Sequence, residues 1–242
     1  MRDNSHDTVL ELTDLRKSYR SGELSVDALR GVSFVVREGE FVAIMGPSGS
    51  GKTTLLGILG CLDRPTSGTY RLVGQEMSEL PETKRAHVRG AEIGFIFQAY
   101  NLLPRSTAYK NVELPLVYAR VPLRERRQRV LDALAEVGLS DRVSHLPNQL
   151  SGGQQQRTAI ARALVAKPSV VLADEPTGNL DSASAEEVLG VLERLNRSGA
   201  TIVLVTHSSE VADRASRILR MADGLLVSDE PVNLRPAIAA PV

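Results

Sequence analysis

The stretch Gly46-Pro47-Ser48-Gly49-Ser50-Gly51-Lys52-Thr53 decides the fold of this chain. It fits the pattern G-x-x-x-x-G-K-[ST], in which glycines let successive backbone N–H groups point into one concavity that holds an anion. The Lys52 ammonium can reach the β- and γ-phosphates of a nucleotide, and the Thr53 hydroxyl can ligate Mg²⁺. The stretch therefore predicts a binding site for a nucleoside triphosphate.

The segments on either side of this loop agree with that interpretation. Residues 41–45 form an apolar run between two glycines, which is typical of a buried strand, and an apolar helical pattern starts at Thr54. The N-terminus of such a helix directs unpaired N–H groups and the positive end of its dipole at the same anion. The loop alone leaves open whether the protein is a kinase, a GTPase or a transport ATPase.

Composition narrows the possible partners. The chain has 242 residues, 42% of them hydrophobic, with 29 basic and 29 acidic side chains. This balance gives no overall field that would attract nucleic acid, so we expect no nucleic-acid partner.

The single cysteine, Cys61, excludes an internal disulfide and favours a reducing cytoplasm. No secretory signal is visible, and no apolar run approaches the ~18 residues of a membrane span, so we expect a separate chain to hold this one at any membrane.

The N-terminal part has strand-like patterns at residues 9–19, 26–36 and 69–73. Tyr19 ends the first of them. Its ring could stack on an adenine, or it could fill the edge of the core, and position alone does not separate these interpretations.

Three further apolar runs are typical of strands and end in polar residues: 93–97, 169–173 and 201–205. Gln98 follows the first run, Asp174 and Glu175 follow the second, and His207 lies just past the third. Because α/β folds bind ligands at the carboxyl ends of their strands, we expect these side chains around the phosphates. Asp174 fits a Mg²⁺-binding role and Glu175 a general base; the alternative for the pair is a solvated turn before Pro176.

Residues 107–166 have helical periodicity and few strand signals. One apolar helix face is predicted to consist of Leu123, Val130, Leu131, Leu134 and Val137. The arginines between residues 124 and 129 cover much of the opposite side, as a basic docking patch or, more often for such runs, as a solvated face.

A second anion-binding turn is predicted at Leu150-Ser151-Gly152-Gly153-Gln154, before a helix that runs to Ala166. It has no lysine, which suggests that it clamps the same nucleotide from the other side, either within one chain or across a pair of chains. Further along, Asp181 or Ser182 is predicted to cap a helix that extends to Asn196. Asp223-Gly224 predicts a hairpin, and the Pro/Ala-rich tail is expected to be loose.

With these motifs in view, the sequence resembles the ATP-binding subunit of an ABC transporter over roughly residues 9–228. Tyr19 matches the adenine-stacking aromatic, residues 46–53 Walker A, and Gln98 the Q-loop glutamine. Residues 150–154 match the LSGGQ signature and 170–174 Walker B, with Glu175 as catalytic glutamate. Asn179-Leu180-Asp181 matches the D-loop and His207 the switch histidine; Ser208 departs from the family, which often has Asp there.

The resemblance implies an α/β fold: a P-loop NTPase core with a parallel sheet, an N-terminal antiparallel β subdomain, and a helical subdomain inserted at about residues 100–165. It implies one ATPase domain over 1–228, a flexible tail over 229–242, and Glu175, His207 and Gln98 as catalytic residues. Mg²⁺ would be held by Thr53, Gln98 and Asp174. The implied ATP-binding residues are Tyr19, Gly46, Pro47, Ser48, Gly49, Ser50, Gly51, Lys52, Thr53, Thr54 and Asp181, with Ser151, Gly152, Gly153 and Gln154 acting in trans.

The implied assembly is a head-to-tail, ATP-dependent homodimer bound to a separate permease at the inner face of the plasma membrane. Segments such as FQAYNLLP, NVELPL and ADEPTGNLD resemble the bacterial branch for lipoprotein release and macrolide export. Two alternatives remain: a non-translocating regulator of the cell-division type, and a soluble ABC ATPase of DNA maintenance or translation. The latter usually carry an inserted coiled coil or a fused second core, which this sequence lacks.

Overall fold

The computed structural model describes residues 7–22 and 24–232. The strands within this part of the chain are β1 (Thr8–Ser21), β2 (Leu24–Arg37), β3 (Phe41–Met45), β4 (Ser67–Leu72), β5 (Gln75–Glu76), β6 (Ile93–Phe97), β7 (Val170–Asp174), β8 (Ile202–Thr206), β9 (Arg217–Ala222) and β10 (Leu225–Pro231). The helices are α1 (Lys52–Leu59), α2 (Glu82–Glu92), α3 (Ala108–Tyr118), α4 (Leu123–Glu136), α5 (Gly152–Leu164), α6 (Ser182–Arg197) and α7 (Ser209–Ala212), with a 3₁₀ turn at Pro147–Gln149.

A six-stranded sheet forms the centre of the molecule, in the order β10-β9-β3-β8-β7-β6. Strands β9, β3, β8, β7 and β6 run parallel, and β10 pairs antiparallel with β9 at one edge. Phe97 pairs with Asp174, and Asp174 pairs with Val205. Because this register brings the carboxyl ends of β6, β7 and β8 to one level, the polar residues that follow them lie along one edge of the sheet.

The central strands β3, β7 and β8 are buried on both faces, which explains why they are almost entirely apolar. In β3, Phe41, Ala43 and Met45 face a core shared with helices α3 to α6. Val42 and Ile44 face the opposite core, which contains the apolar side of α1 and the inner face of the second sheet. Alternate residues of one short strand thus join two layers to the same sheet.

The second sheet is antiparallel, in the order β2-β1-β4-β5. Its Tyr70 is buried, and its hydroxyl donates to the Leu59 carbonyl at the end of α1, 2.6 Å away. The helices α3, α4 and α5 are inserted between β6 and β7. The predicted fold class, a P-loop α/β core with an antiparallel β part and inserted helices, is confirmed.

Two local predictions are wrong. Leu123 does not join the buried face of α4: it is the first residue of the helix, lies beyond the core and is 73% exposed, whereas Val130, Leu134 and Val137 are buried. The chain is also ordered past residue 228, where we expected a loose tail. Strand β10 continues to Pro231, because Arg217 of β9 holds Asp229 through two 2.6 Å hydrogen bonds. Residues 233–242 of the predicted tail lie outside the described residues.

No helix in the described ranges is both long enough and apolar enough to span a bilayer.

Candidate functional site

The loop between β3 and α1 has the shape of an anion cradle. Gly49 and Gly51 adopt left-handed backbone angles, with φ of 81° and 98°, which side chains with a Cβ rarely tolerate. The Lys52 ammonium donates to the carbonyls of Gly46 and Pro47, at 2.7 and 2.8 Å. These contacts hold the cation at the mouth of the loop, where a phosphate would meet it.

The other predicted residues line the same edge of the sheet. Going outward from the loop after β3, His207 follows β8, Asp174 ends β7, and Gln98 follows β6. Neighbouring strands are about 4.8 Å apart, so the strand ends that carry the loop and Gln98 are roughly 14 Å apart. The edge therefore carries, in order, a cation, an imidazole, two carboxylates and an amide.

Glu175 has an unusual backbone conformation and a tightly held side chain. Its φ is 44°, a left-handed value that is strained for a residue with a long side chain. Its carboxylate accepts from the Thr206 hydroxyl at 3.1 Å and from the His207 backbone N–H at 2.9 Å, and its side chain is only 18% exposed. Strain of this kind persists where the surrounding contacts fix it, and here those contacts aim the carboxylate along the sheet edge.

The His207 ring also contacts Glu175, with Nδ1 2.6 Å from Oε1. Because the carboxylate accepts, Nδ1 carries the proton, and a neutral His207 then presents Nε2 as an acceptor. Donation to a phosphate therefore requires an imidazolium, or rotation of the ring away from Glu175 so that the Nδ1 proton is free to face the phosphate. The imidazole side chain is 74% exposed, which leaves room for that rotation.

Asp174 lies half-buried at the end of β7. Burial raises the pKa of its carboxyl group, and the neighbouring Glu175 charge raises it further, while the Lys52 ammonium lowers it. Two adjacent carboxylates at a partly buried strand end are relieved by a cation. Across residues 7–22 and 24–232 there is no group of three or more His, Cys, Asp or Glu that could hold a metal by itself.

Gln98 is bound to the segment after Walker B. Its Nε2 donates to the Asn179 Oδ1 at 3.2 Å, and the Asn179 amide returns a 3.0 Å bond to the Gln98 carbonyl. A Cβ on Gly178 would lie 2.7 Å from the Gln98 Nε2, so only glycine allows this approach. Gln98 is thus brought next to the D-loop segment.

The signature residues form the N-terminus of α5. The Ser151 hydroxyl accepts from the Gln154 N–H at 3.3 Å, and the Gln154 side chain accepts from the Ser151 N–H at 3.0 Å, a reciprocal capping box. A Cβ built on Gly152 would lie 3.0 Å from the Tyr100 hydroxyl, and one on Gly153 would lie 3.0 Å from the Ser184 side chain. The turn is therefore packed against the Q-loop and the start of α6, with Ser151 exposed.

Asp181 caps α6, as predicted. Its carboxylate accepts from the Ser184 N–H at 2.9 Å and the Ser184 hydroxyl at 2.8 Å, and these bonds hold its pKa below the usual value. Ser208, the position that departs from the family, caps the N-terminus of α7, where its hydroxyl accepts from the Val211 N–H at 3.4 Å. It keeps a hydrogen-bonding role at this point of the chain.

Tyr19 lies at the end of β1, and its hydroxyl donates to the Asp63 carboxylate at 2.8 Å. Lys17 donates to the other oxygen of that carboxylate at 2.7 Å, and its ammonium lies 4.8 Å from the centre of the Tyr19 ring. The ring is 45% exposed, so it does not fill the core edge. The Tyr19 ring is thus an exposed aromatic surface, held in place by Asp63 and Lys17, close to the helix that follows the phosphate loop.

Several partners of the site residues were missed by sequence reasoning: Lys17 and Asp63 beside Tyr19, Thr206 beside Glu175, and Asn179 beside Gln98. Asn179 had a signal, since it begins the D-loop match. The others had none, because they belong to no motif: Lys17 and Thr206 reach the site on strands β1 and β8, and Asp63 lies in the turn between α1 and β4.

The comparisons with known proteins agree with this geometry. The family model described as ABC transporter matches residues 29–178. An uncharacterized ABC transporter ATP-binding protein of Thermotoga maritima is 57% identical over 89% of this chain and 92% of its own length. A macrolide export ATP-binding/permease protein MacB of Hyphomonas neptunium is 52% identical over 96% of this chain, which spans only 36% of that longer protein.

The solved structures include a dimeric, post-hydrolysis ATP-binding cassette, MJ0796, bound to ADP and Pi. It is 44% identical to this chain, covers 92% of it, and superposes with a TM-score of 0.84. The match covers 98% of that cassette, so the likeness extends to all its layers. This chain therefore belongs to the ABC transporter family and is an ATP-binding, ATP-hydrolysing subunit of that family.

Proposed function

We propose that two copies of this chain close head to tail around ATP and drive a separate membrane subunit that exports or extracts a substrate from the cell envelope. One observation carries this proposal. Glycine-rich turns precede the N-termini of α1 and α5, where N–H groups can hold a phosphate, but only α1 begins with a lysine. The second fits the nucleotide of another copy, and a dimeric cassette is among the structural neighbours.

Each site residue then has a defined task. Lys52 and the loop amides neutralise the β/γ charge, and Tyr19 stacks on the adenine. The hard oxygen donors of Thr53, Gln98 and Asp174 suit Mg²⁺, which supplies charge neutralisation when bound. Gln98 must leave Asn179 to serve in that way, because its amide is engaged there.

The hydrolytic step falls to Glu175. Its carboxylate accepts the proton of a water aligned with the γ-phosphate, while His207 supports the phosphate after turning from Glu175. The Thr206 hydroxyl and the His207 N–H keep the carboxylate in place during that turn. ATP stabilises the closed pair, and hydrolysis removes that stabilisation.

The helical segment at about residues 100–165 is proposed to transmit closure to the permease, which would hold this chain at the inner face of the plasma membrane. The MacB relative carries an ATP-binding part and a permease part in one protein, which supports a permease partner here. Cargo would contact that partner, and its kind would follow from the partner's envelope-facing domain.

The proposal is tested by capture of the partner. Tagged Glu175→Gln protein is incubated with Mg-ATP and detergent-solubilised membranes of its own cells, and bound proteins are identified by mass spectrometry. We expect a multi-span permease in the ATP sample and less of it with ADP. Recovery of only soluble proteins or nucleic acid would contradict a transport role.

We expect Tyr19→Ala to weaken ATP binding about 10-fold, because stacking of a base on an aromatic ring is worth ~1–3 kcal/mol. Tyr19→Phe loses only the hydrogen bond to Asp63, so its ATP affinity should stay within about 3-fold of that of the unchanged protein. Titration calorimetry measures both, with Tyr118→Ala, at a 78% exposed tyrosine, as control. Equal affinities of the Ala and Phe variants would remove the ring from the nucleotide site.

Asp174→Asn should raise the Mg²⁺ concentration for half-maximal hydrolysis at least ~10-fold, as loss of an outer-shell carboxylate does at other metal sites. The Asn side chain keeps the shape of the Asp174 side chain but not its negative charge. Hydrolysis is measured against Mg²⁺ at saturating ATP, with the exposed Asp132→Asn as control. A lower rate with an unchanged Mg²⁺ dependence would show that Asp174 acts in another way.

A further inference from the structure

Gln156 is a polar side chain in an apolar setting. It lies on α5, three residues beyond Gly153 of the signature, and is 0% exposed. Its neighbours on the helix, Ala159 and Ile160, belong to the apolar interior. Nothing in the ATP chemistry described above uses Gln156, so its burial requires another reason.

The amide of Gln156 joins three parts of the chain. Its Nε2 donates to the Pro176 carbonyl at 2.6 Å and to the Phe97 carbonyl at 3.3 Å. Pro176 directly follows Glu175, and Phe97 directly precedes Gln98. One –NH₂ group on the signature helix therefore holds the backbone beside the general base and the backbone beside the Q-loop glutamine.

The orientation of this amide is dictated by its partners. Both are carbonyl oxygens, so only the –NH₂ end can face them. The other end, Oε1, is buried and has no hydrogen-bond partner within the described residues. A buried acceptor without a partner destabilises the fold, so this position is not optimised for stability alone.

We propose that Gln156 is a positioning residue that couples the two ATP sites of the dimer. The inference rests on the proposed head-to-tail function: each chain gives Glu175 to one site and Ser151 to the other. The Gln156 amide then ties the signature turn of one site to the general-base turn of the other. Closure around the nucleotide in one site is thereby transmitted, through the hydrogen bonds of Gln156, to the second ATP site.

The test removes the donors but keeps the volume, with Gln156→Met. ATP affinity of the monomer should stay within about 2-fold. The kcat of Gln156→Met alone should fall about 10-fold, and so should the ATP-dependent dimer affinity of Gln156→Met combined with Glu175→Gln, a typical coupling between sites. Gln128→Met, at an exposed glutamine whose side chain donates to Asp132 within the same helix, is the matched control. Unchanged kcat and dimerisation, or losses that follow a lower Tm, would overturn the proposal. If Glu175→Gln alone does not dimerise with ATP, it is the proposed function that fails.

A second variant separates positioning from packing. In Gln156→Glu the ionised carboxylate has no donor for the two carbonyls, whereas the protonated form donates one O–H. Its kcat relative to the unchanged protein should therefore rise as the pH falls from about 10 to about 5.5, a range that brackets the pKa of a buried Glu, roughly 6–9. A ratio that does not change with pH would contradict the role of the bond.

Discussion

Replacing Glu175 by Gln is expected to lower kcat at least ~100-fold while ATP still binds, because the amide cannot accept the proton of the attacking water. Gln is nearly isosteric, and its oxygen can still accept from the His207 N–H. Its –NH₂ group can donate to the Thr206 hydroxyl, which now accepts. The contacts that fix the side chain are thus kept while its basicity is lost.

The measurement is single-turnover hydrolysis with excess protein, together with ATP affinity by calorimetry. Glu136→Gln, the same change at an exposed position of α4, controls for the loss of one negative charge. ATP-dependent dimers should accumulate in the Glu175 variant, since closure no longer leads to hydrolysis. Hydrolysis at a near-normal rate would remove Glu175 from its role as base.

Sequence reasoning located the strand ends and the groups that follow them, because buried parallel strands and glycine loops have strong local patterns. Lys52, Asp174 and His207 could be identified in this way, each from the few residues around it. Their order along the sheet edge follows from pairing between distant strands and was supplied by the structure.

Side-chain pairing across the site was beyond sequence reasoning. His207 contacts Glu175 across 32 positions and Gln98 contacts Asn179 across 81. Each contact depends on which strands are neighbours and on the rotamers of the two side chains. The hydrophobic periodicity of a sequence gives no information on either. The exposure of Leu123 could not be predicted from the sequence either. The helical period predicts which residues share a face of α4, but it does not predict that the core ends before the first turn of that helix.

Ser151→Asp is expected to abolish hydrolysis, because it places a carboxylate where the signature would meet the γ-phosphate of the other copy. Asp caps a helix as well as Ser does, so α5 should stay folded. A repulsion between charges ~4 Å apart near a surface is about 4 kcal/mol, which corresponds to roughly a thousandfold in rate. Ser151→Asn, an equally good cap without charge, is the matched control and should retain most of the activity.

Mixing two inactive variants then tests the head-to-tail arrangement. Lys52→Ala disables the phosphate loop of its own chain, whereas Ser151→Asp disables the signature that the chain offers. In an equal mixture, half of all dimers contain one copy of each variant. If the signature acts in trans, each of these heterodimers has one intact site, so about a quarter of all sites recover. If the signature acts within its own chain, every site has a defect and the mixture stays inactive. Recovery on mixing, measured against each variant alone, therefore distinguishes a shared site from a self-contained one.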